Sequence, residues 1–140
     1  MTDLERMFIE HECLKLVHGY CVHYDSEDNA AFVDLWADDA VWVGSAGELT
    51  GIAAIRESMA SRKRRGIQRH VSANALVRVI DADRAEGVSY IVFYLDLDGE
   101  KGKTGKSAAP RLVGRYFDSY VRTARGWKIA TRRMDTDLST

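Results

Sequence analysis

The residue types best suited to chemistry in this chain are gathered in Tyr20-Cys21-Val22-His23-Tyr24-Asp25-Ser26-Glu27-Asp28 and in the isolated His70, which follows a strongly basic segment. A neutral imidazole is a good general base near pH 7 when a second group orients its other nitrogen and stabilises the imidazolium formed on proton transfer. Asp25 is the candidate for that second role. The hydroxyls of Tyr20 and Tyr24, four positions apart and so on one helix face, could donate to a substrate carbonyl or leaving oxygen, and a dry pocket strengthens such bonds. Proton abstraction beside a carbonyl or leaving group, with loss of water or halide, asks for these groups and for neither metal nor organic cofactor.

Other chemistries find less support in the spacing. His11-Glu12 begins like a zinc-protease helix, but Lys15 stands where the second histidine is required and His18 lies two turns from His11. No metal constellation is expected. Gly105-Lys106-Ser107 resembles the end of a phosphate-binding loop, yet Glu100 occupies the place of its first glycine and no helix pattern follows Ala108-Ala109-Pro110. A mobile hairpin loop near a pocket entrance is the expectation there.

The chain has 140 residues with one proline and is 46% hydrophobic, the length of one ordinary domain able to bury a core without staples. We expect a single domain over 1–140. Its 20 basic residues nearly cancel 21 acidic ones, for a formal charge of -1, so nothing draws the whole molecule to nucleic acid or to an anionic membrane. The basic cluster of Arg62, Lys63, Arg64, Arg65 and Arg69 is expected to be a solvated helix end. No apolar run approaches the roughly 20 residues that span a bilayer, and Met1-Thr2-Asp3-Leu4-Glu5-Arg6 lacks a basic region followed by an apolar stretch. A cytoplasmic protein is expected. Cys13 and Cys21 lie on one helix with about 12 Å of rise between them, beyond disulfide reach, and should be reduced core thiols.

Periodicity changes once along the chain, and the elements that must position the candidate residues follow from it. Ile9, Cys13, Leu16, Val17, Tyr20 and Tyr24 make one apolar face of a helix from about residue 4 to 24, so both tyrosines look inward. Asp25 or Ser26 can cap a second short helix carrying Phe32, Leu35 and Trp36 and ending at Asp38-Asp39. Ala40 to Val43 reads as a short strand, Gly44 to Thr50 as a loop, and Ile52, Ile55 and Met59 mark a third helix. From His70 the pattern is β. Val71, Ala73, Ala75, Val77 and Val79 alternate with His70, Ser72, Asn74, Leu76 and Arg78, and Asp81-Ala82-Asp83 suits a hairpin turn. The strand from about Ala85 to Leu97 is apolar on both faces and so must be covered on both, which predicts a homo-oligomer, dimer or trimer. Leu112 to Arg122 and Trp127 to Arg133 form a closing hairpin. Helices followed by antiparallel strands argue for an α+β fold.

The ordered pieces Tyr20 with Asp25-Ser-Glu-Asp28, Leu35-Trp36-Ala37-Asp38-Asp39-Ala40-Val41-Trp42, Gly51-Ile52-Ala53-Ala54-Ile55, His70-Val-Ser-Ala-Asn74 and Gly126-Trp127-Lys128-Ile129-Ala130-Thr131-Arg132 span nearly the whole chain. In this order they resemble the SnoaL-like branch of the nuclear-transport-factor-2-like superfamily, which includes small polyketide cyclases, scytalone dehydratase, bile-acid dehydratases and the dehydrochlorinase of lindane breakdown. The resemblance implies a strongly bent mixed or antiparallel sheet wrapped as a cone around the helices, with an apolar pocket at its open end. It also implies that Asp25 and His70 are catalytic, that Arg132 lines the pocket, and that Tyr94 and Asp96 lie where dehydratase relatives carry a second polar group, although the second histidine of those relatives is missing here. Trp42 and Asn74 complete the candidate substrate-binding set with Tyr20, Tyr24, Tyr94, Asp96 and Arg132.

Each residue also has a plainer role open to it. Asp25 has reason enough to be a helix cap, Tyr20, Tyr24, Trp36 and Trp42 to be core, and His70 to face away from the pocket with Ser72, Asn74 and Arg78. Two arrangements would bring His70 in: a bulge that reverses the strand register, or an apolar face used for oligomerisation while the polar face lines the cavity mouth. The function expected is a cofactor-independent lyase or isomerase acting on a small hydrophobic carbonyl, alicyclic or polycyclic compound. The alternative is a ligand-binding protein or the small subunit of a ring-hydroxylating dioxygenase.

Overall fold

The computed structural model of the protein describes residues 1–63, 66–107 and 109–140, so Arg64 and Arg65 of the basic cluster and Ala108 of the Gly- and Lys-rich loop lie outside the described residues. The chain opens with α1 (Asp3–Ser26), started by a capping box in which the Glu5 amide donates to Thr2 Oγ1 at 3.2 Å and the Thr2 amide donates to the Glu5 carboxylate at 2.7 Å. It ends where Glu27 turns left-handed at φ 67. Its buried face carries Ile9, Cys13, Leu16, Val17, Tyr20 and Cys21, and both cysteines are free thiols.

The cap of α2 (Asn29–Asp34) is Asp28, whose carboxylate accepts from the Ala31 amide at 3.0 Å. This corrects the expectation of a cap at Asp25 or Ser26: both belong to α1, and Asp25 is therefore released from capping. Trp36 does not sit on the second helix either. It begins β1 (Trp36–Gly44), because the Ile129 amide donates to the Leu35 carbonyl at 2.8 Å and a sheet partner ends the helix there. The stretch expected to be a loop pairs as β2 (Gly47–Thr50), and α3 (Ile52–Ser61) follows.

Four long strands complete the fold: β3 (Ile67–Val79), β4 (Arg84–Asp96), β5 (Leu112–Thr123) and β6 (Gly126–Ser139). The sheet order is β2-β1-β6-β5-β4-β3, antiparallel throughout except where β1 runs parallel to β6. The sheet is curved and unclosed, with the helices inside the curve. Trp36, Phe32, Ile55, Met59, Ile91 and Ile129 are fully buried between the two. No helix among the described residues is long and apolar enough to cross a membrane.

One register feature decides which side chains of β3 face inward. Ala73 pairs with Tyr90 and Leu76 with Val88, so β3 spends three steps where β4 spends two. The extra residue is accommodated at Asn74, in the left-handed region at φ 50, a conformation that asparagine tolerates better than most L residues. Before the bulge, His70 and Ser72 point inward; after it, Ala75, Val77 and Val79 do, while Val71 and Leu76 stand exposed on the outer face. The strict alternation read from the sequence is corrected accordingly, since one inserted residue exchanges the two faces of a strand.

Candidate active site

Asp25, in the last turn of α1, faces His70, the fourth residue of β3. The His70 backbone N–H donates to Asp25 Oδ2 at 2.7 Å, and His70 Nδ1 lies 2.7 Å from Asp25 Oδ1. A carboxylate only accepts, so Nδ1 carries a proton, and in the neutral imidazole the lone pair then lies on Nε2 at the opposite edge of the ring. Both side chains are nearly enclosed, at 9% and 12% exposure for Asp25 and His70. The imidazole is held from two further sides, stacked on Phe93 at 4.4 Å and met edge-on by Tyr24 at 5.2 Å between centroids.

His70 lines a cavity of about 140 Å³ together with Tyr20, Tyr24, Trp42, Phe93 and Tyr116. Gln68, Ile91, Leu112 and Met134 complete most of its wall. The aromatic side is rigid. Tyr20 packs on Tyr24, Trp42 and Tyr116 at 6.0, 6.0 and 5.3 Å, and Arg62 lays its guanidinium 3.9 Å above the Tyr24 ring while donating to the Tyr24 carbonyl. Burial first, and the neighbouring Tyr116 second, push the Tyr20 hydroxyl well above its ordinary pKa, and burial likewise raises Tyr116. Both phenols therefore stay protonated at any physiological pH.

Beneath this wall lies a second charged pair. Arg132, fully buried, sends Nε and Nη2 to the two oxygens of Asp118 at 2.8 and 2.7 Å, across the β5–β6 ladder where these residues are direct partners. Its guanidinium is sandwiched 4.2 Å from the Tyr20 ring and 4.2 Å from the Tyr116 ring, and Tyr120 donates to Asp118 at 2.7 Å. Burial opposes the charge, but Asp118 outweighs it, so the Arg132 pKa lies above its already high ordinary value.

Of the residues singled out from the sequence, Asp25 and His70 are brought together, and Tyr20, Tyr24 and Trp42 join His70 around the cavity. Four are placed elsewhere. Arg132 supports the wall from behind instead of lining it, because a bulge at Ala130 turns it onto Asp118. Asn74 is exposed at its own bulge. Tyr94, 36% exposed, and Asp96 share the parity of β4 opposite to that of buried Ile91 and cavity-lining Phe93, so they leave the cavity, and Asp96 instead accepts from the Lys106 amide at 2.7 Å. Sequence reading missed Gln68, Phe93 and Tyr116. Phe93 is the cross-strand partner of His70 and Gln68 lies two residues before it, so both were reachable once β3 was begun at Ile67. Among the described residues, no group of three or more His, Cys, Asp or Glu is placed to hold a metal ion.

The fold agrees with what comparison shows. The SnoaL-like domain model matches residues 5–133, and the chain belongs to that family. A LinA-type hexachlorocyclohexane dehydrochlorinase of Novosphingobium barchaimii superposes with a TM-score of 0.81 at 19% identity, covering 99% of this chain and 93% of that one. A protein of Novosphingobium aromaticivorans provisionally named a scytalone dehydratase gives 0.79 at 17% identity over 99% and 91%. Another protein of that organism, provisionally named an aromatic ring hydroxylase, gives 0.71 at 27% identity over 90% and 87%. No curated protein matches the chain by sequence.

Proposed function

We propose that the chain is a cofactor-independent lyase or isomerase whose base is His70. The observation that carries this reading is the grip of one carboxylate on both the backbone N–H and Nδ1 of His70, at the wall of an aromatic cavity. Nε2 takes a proton from a carbon beside a carbonyl, and Asp25 stabilises the imidazolium that results. The electron pair of the broken C–H bond becomes the new double bond as the bond to the leaving oxygen breaks. The imidazolium then returns the proton to the leaving hydroxyl, so water and an unsaturated carbonyl depart. Tyr116 and Tyr24 line the same wall, and phenol hydroxyls are the type of donor that stabilises oxygen atoms gaining charge. The likeness to dehydratase and dehydrochlorinase structures supports the class of reaction.

The base step can be read alone. Deuterium uptake from D2O at the carbon beside the carbonyl of cyclohexanone should fall about 10²- to 10⁴-fold in His70→Ala, the usual worth of a general base, with an unchanged circular dichroism spectrum. Equal uptake in both proteins would remove His70 from the role. The likeness to the protein named a ring hydroxylase keeps one other reading in view, that of a small subunit without chemistry of its own. Stable co-purification with a large iron-containing chain would favour it.

A second copy of the chain is part of the proposal. The outer sheet face exposes Val71, Leu76 at 72%, and Tyr90, and this apolar area is bordered by Arg78–Glu86 and Arg115–Asp137 pairs of both signs, a rim that can complement its own copy. Leu76→Glu should shift the sedimenting species to a monomer if that face is shared.

A further inference from the structure

We propose that Gln68 selects an oxygen-bearing ring compound for this cavity and disfavours its hydrocarbon or halocarbon counterpart. Its Nε2 is buried without a hydrogen-bond partner. Of the buried side-chain polar atoms left unpaired among the described residues, those of Trp36, Arg62, Ser72, Ser89 and Arg132 belong to residues outside the cavity lining, and only that of Gln68 belongs to a residue within it. A buried donor with no partner is costly; Gln68 lines both this cavity and the neighbouring hollow beside Asp25, Ser26 and Lys101, and its amide is relieved when the side chain turns to an acceptor on a ligand in the cavity.

Gln68 and His70 lie on the same side of the bulge and two residues apart, so they share the inner face of β3 with about 7 Å between successive same-face side chains. That spacing suits a ligand whose carbonyl oxygen accepts from Gln68 while an adjoining C–H meets Nε2 of His70. The volume, about 140 Å³, is close to that of the engineered apolar cavity of about 150 Å³ that holds benzene. One six-membered ring is therefore the part of the ligand enclosed, and Ile91, Phe93, Leu112 and Met134 supply its apolar walls. A chlorinated cycloalkane would fill the same space and leave the Gln68 donor unpaired. The inference rests on the elimination reading only for where the C–H lies; the choice of oxygen over carbon rests on Gln68 alone.

The test compares cyclohexanone with methylenecyclohexane, which replaces C=O by C=CH2, using ligand-detected NMR titrations on the wild type, Gln68→Leu, Gln68→Met and His70→Ala. The wild type should prefer the ketone by about 5- to 100-fold, the span associated with leaving one buried donor unpaired. Both Gln68 variants should lose that preference through weaker ketone binding, and His70→Ala should keep it. An unchanged preference in both Gln68 variants overturns the assignment, as does a wild type that binds the two compounds equally. Preference without deuterium exchange in the wild type would retire the elimination reading and leave Gln68 as the selector. Exchange accompanied by a preference that ignores Gln68 would do the reverse.

Discussion

Asp25 and Asp118 each hold a nitrogen-bearing partner at 2.7 Å, the first at the cavity and the second one layer below it. Asp118 faces a guanidinium that is always charged, meets it with both oxygens, and shares no exposed surface with it. Asp25 faces an imidazole, a group able to accept and release a proton, and His70 borders the cavity. The first arrangement is closed to protons and ligands alike, and its product is a fixed wall. In the second the partner, when neutral, offers a lone pair on Nε2, and that is the requirement for taking up a proton. The same acid type thus does structural or chemical work according to what lies on the far side of its partner.

The comparison breaks most visibly at the sealed pair. Asp118→Ala leaves a buried guanidinium uncompensated and should cost about 3–5 kcal/mol in urea unfolding, with activity lost only as the protein unfolds. Asp25→Asn should do the opposite. It removes the stabilisation of the imidazolium and lowers deuterium exchange about 10²-fold or more, while the unfolding midpoint moves far less than in Asp118→Ala. A large stability loss in Asp25→Asn with normal exchange would invert the contrast.

Alkaline pH should then act on the sealed region. Burial pushes Cys21 to about 11 and Cys13 to about 12. Because these folded values lie above the ordinary thiol range near 8.5, the native state holds protons that the unfolded chain releases. Their contribution to stability is intact below about pH 8.5 and declines as pH rises through about 11 to 12, so unfolding midpoints measured across that window should fall, and less steeply in Cys21→Ala. Least affected of all should be the hairpin pair: Arg84→Ala removes an exposed partner of Asp81 and should leave both midpoint and exchange as they are.

Much of the site was legible because helical spacing is local. Tyr20 and Tyr24 lie four apart on α1, so their inward placement needed nothing beyond the pattern. The strand residues were legible only up to the first irregularity. Extra residues at Asn74 and Ala130 reverse parity on β3 and β6, and no local pattern marks them. For this reason the Asp118–Arg132 pairing escaped notice, whereas the placing of Arg132 at the cavity came from the family resemblance and not from strand parity. Trp36 was misplaced for a different cause, since pairing with Ile129 across the sheet overrode a helical stripe.

The bulge at Asn74 lets one strand answer to two selective demands. Upstream of it, Gln68 and His70 line the cavity; downstream, Ala75, Val77 and Val79 serve the packed interior. A uniform strand would tie these segments to a single parity, so that any shift made to suit a new substrate would also unseat the interior. With a hinge of one residue between them, the upstream end is free to be rewritten for other ligands while the downstream end goes on holding the fold.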